Sequence, residues 1–219
     1  MLRVGLTGGL GSGKSTAAQM FQERGARVLS SDVIGRELMQ PGQAVYQAIV
    51  RRFGDAVLLA SGGLDRAVLA RLAFEQGQVE ALNAIVHPAV IARQEELMRG
   101  MPSGPIVIIE SALIFEMKYG GAGSWRDRFD RMVLVTAPEK VKIDRFLARA
   151  GATETTRAAL RAEALRRLAL QMPDELKAPL CDFVIQNDGD LAKLREQVDS
   201  VWESLAPYGQ QTPGVPAWA

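Results

Sequence analysis

Five short runs of β-branched and aliphatic residues punctuate the chain: Val4–Thr7, Val28–Ser30, Ile106–Glu110, Met132–Thr136 and Phe183–Gln186. Each is followed by a turn and then by apolar residues at helical spacing. Ile106-Val107-Ile108-Ile109 is apolar without alternation, the pattern of a strand covered on both faces. Strands of this kind alternating with helices predict βαβ units, a parallel sheet and right-handed crossovers. The expected fold is therefore α/β: a three-layer, doubly wound domain with one five-stranded parallel sheet and helices on both faces.

Two stretches break the rhythm. Residues 35–100 carry helical patterns and no convincing strand. Asp65 is placed to cap a helix whose apolar face holds Val68, Leu69, Leu72 and Ala73, and Pro88 suits the first turn of another bearing Val90, Ile91 and Leu97. Residues 138–178 are helical again and rich in arginine, including Arg145, Arg149, Arg157, Arg161, Arg166 and Arg167. Both stretches read as helical insertions over the carboxyl ends of the strands, where open α/β sheets bind ligands. The segment Gln210–Ala219, with two prolines, is expected to fray.

Charge narrows the possible partners. The 26 basic and 25 acidic residues of the 219 leave a net charge of +1, which gives no long-range field to attract nucleic acid or an anionic membrane. An anion must be held by a local arrangement of groups. One cysteine, Cys181, excludes an intramolecular disulfide, and with one histidine, His87, it argues against a zinc site. The N-terminus turns glycine-rich too early for a signal peptide, and no stretch has the ~18–20 apolar residues of a membrane span. The expectation is a reduced, cytoplasmic protein with no membrane, nucleic-acid or obligate protein partner.

That local arrangement is written at Gly8-Gly9-Leu10-Gly11-Ser12-Gly13-Lys14-Ser15-Thr16, which fits G-x-x-x-x-G-K-[ST]. Glycines let successive backbone N–H groups turn inward around a phosphate without a Cβ in the way. Lys14 is suited to reach the β- and γ-phosphates, and the Ser15 hydroxyl to coordinate Mg²⁺. A helix starting near Lys14 aims its positive end at the same point. The motif follows a strand and precedes a helical pattern, as this chemistry requires. It serves GTPases, motors, transporters and kinases alike, so it fixes a nucleotide and not a reaction. A guanine-reading Asn-Lys-x-Asp is absent from the sequence.

Five further positions are candidates, each with a plainer alternative. Asp32 follows the second strand run, where a carboxylate could accept the proton of an attacking hydroxyl or hold Mg²⁺ through water; it could equally cap a helix. Glu110 ends the third strand, where phosphate-binding-loop proteins keep an acid near the metal, or it binds a nearby backbone N–H. Arg145 and Arg149 lie four apart, so that both could face one anion; otherwise they form a solvated basic face. His87, before Pro88, reads first as a cap or packed group and only then as a catalyst.

The run Gly5–Thr16 closely resembles the opening of dephospho-coenzyme A kinases, and further motifs follow in that family's order. These are Ser31-Asp32 with Arg36, Gln40-Pro41-Gly42 with Phe53-Gly54, Leu64-Asp65-Arg66, His87-Pro88, Leu113-Ile114-Phe115-Glu116, Gln171-Met172, Lys177, Asp182 and Asn187. The resemblance spans residues 2 to about 205. It implies a P-loop NTPase fold with a nucleotide-binding core (1–34, 101–137, 179–209), a helical coenzyme-A-binding lobe (35–100) and a lid (138–178). The activity it implies is Mg²⁺-assisted transfer of the ATP γ-phosphate to the ribose 3′-hydroxyl of dephospho-coenzyme A. By the same resemblance Asp32 becomes the base at that hydroxyl, His87 a substrate contact, and Arg145 and Arg149 the clamps on the moving phosphate. ATP falls to Gly11, Ser12, Gly13, Lys14, Ser15 and Thr16, with Asn187 and Asp188 beside the adenine. Ala112 stands where the family has proline, and the stretch from Arg149 to Gln171 is longer than usual by roughly two helical turns. Two rivals remain: a nucleoside or nucleoside-monophosphate kinase of the same fold, and an ATP-binding regulator that turns over slowly.

Overall fold

A computed structural model describes residues 1–74, 76–102, 104–116 and 125–209; the expectation for Gln210–Ala219 falls outside them. The strands are β1 (Leu2–Thr7), β2 (Arg27–Ser30), β3 (Ile106–Glu110), β4 (Arg131–Thr136) and β5 (Phe183–Gln186). The helices are α1 (Lys14–Glu23), α2 (Ser31–Leu38), α3 (Ala44–Phe53), α4 (Arg66–Phe74), α5 (Val79–Arg99), α6 (Trp125–Arg128), α7 (Glu139–Arg149), α8 (Arg157–Ala169), α9 (Asp174–Lys177) and α10 (Leu191–Gly209). The chain divides into two compact units. Among the described residues, the first is built from Met1–Leu29, Pro102–Glu116 and 125–209, the second from Ser30–Met101.

The first unit contains the sheet, in the order β2-β3-β1-β4-β5. β1 is central: it pairs in parallel with β3, Leu2 opposite Ile106 through Leu6 opposite Glu110, and with β4, Val4 opposite Arg131 through Thr7 opposite Leu134. β4 pairs in parallel with β5 from Val133–Phe183 to Thr136–Gln186. Strand order reverses about β1, so its carboxyl end, where the glycine loop begins, lies at the switch point of the sheet.

Burial follows the apolar runs. On one face, Val4, Leu6, Ile108, Val133, Val135 and Ile185 pack with Ala17 and Phe21 of α1 and Leu194, Val198 and Leu205 of α10. Phe21 is wholly buried, and a side chain of that size contributes about 1.5–3 kcal/mol by leaving water. Arg24, just past α1, is ion-paired with Asp199, fixing α1 against α10. The other face places the Met132 thioether and Ile114 where a side chain on Gly5 would stand. Residues 138–178 pack with this unit: Ile143, Phe146 and Leu147 of α7 meet Leu160, Ala164 and Leu168 of α8 in a small core that Leu10 joins.

The second unit is helical around Val45, Ile49, Val57 and Leu69. Asp65 caps α4 as its position suggests, its Oδ1 accepting from the N–H groups of Ala67 (2.9 Å) and Val68 (3.0 Å). Pro88 departs from expectation. It does not open a helix but sits inside the 21-residue α5. An internal proline removes one hydrogen bond and crowds the carbonyl four residues earlier, at a cost of about 3 kcal/mol. Packing on both sides of it outweighs that cost: Leu82, Ile85, Val86 and Ala89 join the unit's core, and Val90 and Ile91 are buried. Ala84, whose carbonyl is released, is exposed and can bond water instead.

Candidate active site

Backbone geometry in the loop after β1 is set by glycine where no other residue fits. Gly13, the residue before α1, has φ 92°, and a Cβ there would stand 2.1 Å from Asn187 Nδ2. Gly11 has φ 73°, with the Lys142 carbonyl oxygen 2.2 Å from where its Cβ would be. Side chains are excluded both by the left-handed backbone and by neighbours packed against it.

Those neighbours come from distant parts of the chain. Asn187, buried just beyond β5, donates from Nδ2 to the Ser12 carbonyl at 2.8 Å, while its own N–H donates to Thr136 O at 2.8 Å and continues the ladder. Arg145 of α7 donates to Asn187 Oδ1 at 3.2 Å and to Ser12 O at 3.5 Å. Gln171 accepts the Leu10 N–H at 2.9 Å. Lys142, also on α7 and largely buried, is paired with Asp174 at 2.5 Å, and Asp174 accepts from Thr136 Oγ1 as well. The Lys142 ammonium lies 3.2 Å from the Cβ position of Gly9. Lys14 donates to Gly9 O at 3.3 Å. Thr16 lies in the first turn of α1.

Ser15 and Glu110 meet. The Ser15 hydroxyl donates to Glu110 Oε1 at 3.0 Å, across 95 residues of sequence. The backbone partner considered for Glu110 is thus replaced by the hydroxyl that the motif assigns to a metal. Two adjacent oxygen donors, one of them anionic, suit a hard divalent cation that keeps most of its water and phosphate ligands.

The structure therefore brings together Gly11, Ser12, Gly13, Lys14, Ser15, Glu110, Arg145 and Asn187. Arg149, one turn beyond Arg145, is exposed. The cation sharing Arg145's approach to the loop is Lys142, three residues earlier. That i, i+3 spacing was visible in the sequence, whereas the Gln171 and Asp174 contacts had no local signal.

Asp32 and His87 belong to the second unit, which begins at Ser30 and not at residue 35 as expected. Asp32 is exposed in the first turn of α2, and no side-chain cap closes that helix. The N-cap alternative for Asp32 is thereby set aside: the residue lies inside the helix, and its carbonyl accepts from Arg36 Nε at 3.0 Å. Asp32-Val33-Ile34-Gly35 has the Asp-x-x-Gly spacing of a GTPase switch, but Ile34 and Gly35 are buried in a packed helix, with Val86 and Val90 of α5 against Gly35. Buried Gln94 of α5 donates to Ser31 Oγ at 2.9 Å, fixing the start of α2. His87, inside α5, has a buried Nδ1 without a hydrogen-bond partner, and burial holds its pKa below the ordinary value.

A family model described as dephospho-CoA kinase matches residues 2–193. Among curated relatives, the dephospho-CoA kinase of Thermobifida fusca is 38% identical over 207 residues, covering 94% of this chain and 96% of that protein. The crystal structure of TT1252 from Thermus thermophilus aligns with a TM-score of 0.73 at 31% identity, over 93% of this chain and 97% of that one. Dephospho-CoA kinase from Campylobacter jejuni shares the fold, with a TM-score of 0.63 at 19% identity over 95% and 98% of the two chains.

Proposed function

The chain belongs to the dephospho-CoA kinase family, and on that premise we propose how its residues divide the work. The protein is a phosphotransferase that moves the γ-phosphate of ATP to the ribose 3′-hydroxyl of dephospho-coenzyme A, giving coenzyme A and ADP. The observation that carries the assignment of roles is the glycine loop, held from three sides by Asn187, Arg145 and Gln171, with Ser15 against Glu110 at its edge.

Phosphoryl transfer asks little covalent chemistry of a protein and much positioning and charge compensation. The amides of Gly11 through Thr16 and the Lys14 ammonium hold the β- and γ-phosphates. Ser15, with Glu110, holds Mg²⁺, which when bound neutralises charge shared between those phosphates. Asp32 binds the 3′-hydroxyl and takes its proton as the oxygen attacks. His87 contributes to the dephospho-coenzyme A site. Arg145 balances charge on the moving group from its place beside Ser12, and Arg149 adds a second cation from its exposed position on the same helix. Asn187 borders the adenine. Residues 138–178 act as a lid that keeps water from competing as acceptor. Reduced, uncompartmented cytoplasm suits a chain with one thiol, and ATP and dephospho-coenzyme A are its partners.

An acceptor panel tests the reaction. ADP release is measured with dephospho-coenzyme A, adenosine, AMP and pantetheine compounds, and product mass must rise by one phosphate with dephospho-coenzyme A alone. Preferential turnover of a nucleoside or nucleotide would favour the rival kinase, and ATP hydrolysis indifferent to every acceptor would favour a regulator. Asp32→Asn should lower kcat by about 10²–10⁴; near-normal turnover would remove Asp32 from the role of base.

A further inference from the structure

The least expected charge in the molecule is Lys177. Its side chain is wholly buried, although lysine is almost never fully buried unless paired. The ammonium is bonded on two sides, to Glu116 Oε1 at 3.0 Å and to the carbonyl of Ala112 at 3.2 Å. Glu116 Oε1 also accepts the backbone N–H of Met172 at 2.8 Å. Three separate segments thus meet on one cation: the turn after β3, the Gln171–Met172 turn, and α9.

Neither end of that short helix is free. Asp174, at its start, is paired with Lys142 and bonded to Thr136, and Lys177, at its end, closes on Glu116 and Ala112. Buried ion pairs contribute little net stability, because desolvation offsets their attraction. What this pair does supply is position. Glu116 holds the Met172 N–H, and the adjacent Gln171 presents its Oε1 to the Leu10 N–H, which ties this segment to an amide of the glycine loop.

We propose that Lys177, acting through Glu116 and the Gln171–Met172 turn, is a positioning residue that sets the shape of the phosphate loop and thereby the affinity for ATP. The proposal rests on the reading of Gly8–Thr16 as the phosphate cradle. Lys177 touches no reacting atom; its effect passes through the Gln171 contact, and its loss and the loss of Gln171 must therefore be the same loss.

Steady-state kinetics on the full-length enzyme test this, with ATP and dephospho-coenzyme A varied separately. Gln171→Ala breaks the loop contact alone. Lys177→Met with Glu116→Gln breaks the latch while removing both charges together, so that the buried one is not left uncompensated. Each should raise the KM for ATP about tenfold, the worth of one loop hydrogen bond, and leave the KM for dephospho-coenzyme A within about twofold. The triple variant should be no worse than Gln171→Ala. An ATP KM unchanged in the latch variant overturns the proposal, as do effects that multiply in the triple variant or fall equally on both substrates. If the latch variant does not fold, Glu116→Gln alone decides: hydrogen exchange in the peptide carrying Leu10 must be faster than in the wild type, and unchanged exchange overturns the proposal. Lys14→Ala is run alongside. Full activity there would break the reading of the cradle itself, an outcome distinct from failure of the latch.

Discussion

Asn187→Ala removes a side chain that is only 5% exposed and bonded at both ends. Among the described residues the Ser12 carbonyl then keeps Arg145 alone, at 3.5 Å, beyond the usual range for an N–H···O bond. Leaving a buried acceptor without its partner costs about 1–3 kcal/mol. The amide packed against Gly13 goes as well, so the left-handed turn into α1 loses the wall that it lies against. If the whole cost falls on the loop, it appears as an ATP dissociation constant raised roughly 5- to 150-fold, at about 1.4 kcal/mol per factor of ten. If it is spread over the fold, it appears in Tm, at about 2–4 °C per kcal/mol for a chain of this size.

Titration calorimetry with ATP and a thermal melt of the same preparation separate the two. The expected result is weaker ATP binding with a Tm lowered by no more than a few degrees, because Thr136 still holds the backbone N–H of residue 187. Asn187→Asp sharpens the comparison. It keeps an acceptor for Arg145 but sets a carboxylate oxygen against the Ser12 carbonyl, so it must bind ATP at least as poorly as the alanine variant. Wild-type affinity and Tm in Asn187→Ala would show that the loop keeps its shape without this bond.

Three further outcomes follow from single groups. Burial lowers the His87 pKa from the ordinary 6.5, so the unfolded chain takes up its proton first as pH falls; the stability this gives is whole above that value and is lost below it. Tm should therefore drop more steeply from about pH 7.5 to about 5.5 in the wild type than in His87→Gln, and parallel curves would refute the account. Cys181, its thiol pushed up from 9.0 to about 12, chiefly by burial, should react with iodoacetamide at about pH 8 roughly 10³-fold more slowly than in the unfolded chain; equal rates would refute it. Pro88→Ala restores an N–H to α5 at an exposed position and should raise Tm by several degrees, a gain of about 2 kcal/mol after the looser unfolded chain is counted; a lowered Tm would show that the proline is packed to advantage.

How far the sequence foretold these features depends on how far apart the cooperating residues lie. The phosphate loop is encoded in nine consecutive residues, and its glycines are needed for reasons of backbone angle that any reader of the sequence can apply. The strands were equally legible, because continuous apolar runs have few other uses; β1, β2 and β4 merely begin earlier, at Leu2, Arg27 and Arg131. Asp65 announced its cap because a cap acts over three residues. Pro88 misled for the converse reason. Its local preference for a first turn was outweighed by packing from Leu82 through Ile91, which no local rule contains.

The same distinction runs through the site. Ser15 and Glu110 could be named separately, but their bond spans 95 residues; Leu10 and Gln171 are 161 apart, and Ser12 and Asn187 are 175 apart. The chain's near-zero net charge follows the same logic. Cations around the loop are not a field but individually partnered groups: Lys142 with Asp174, Lys177 with Glu116, Arg145 with Asn187. Each partner lies on a different element from its cation, so folding itself assembles the charge arrangement. A mutation that neutralises one partner therefore acts on loop shape before it acts on electrostatic attraction for the nucleotide. In that case the damage from removing Asp174 or Glu116 should resist correction by low salt, since the Debye length lengthens only the reach of a field and cannot rebuild a contact.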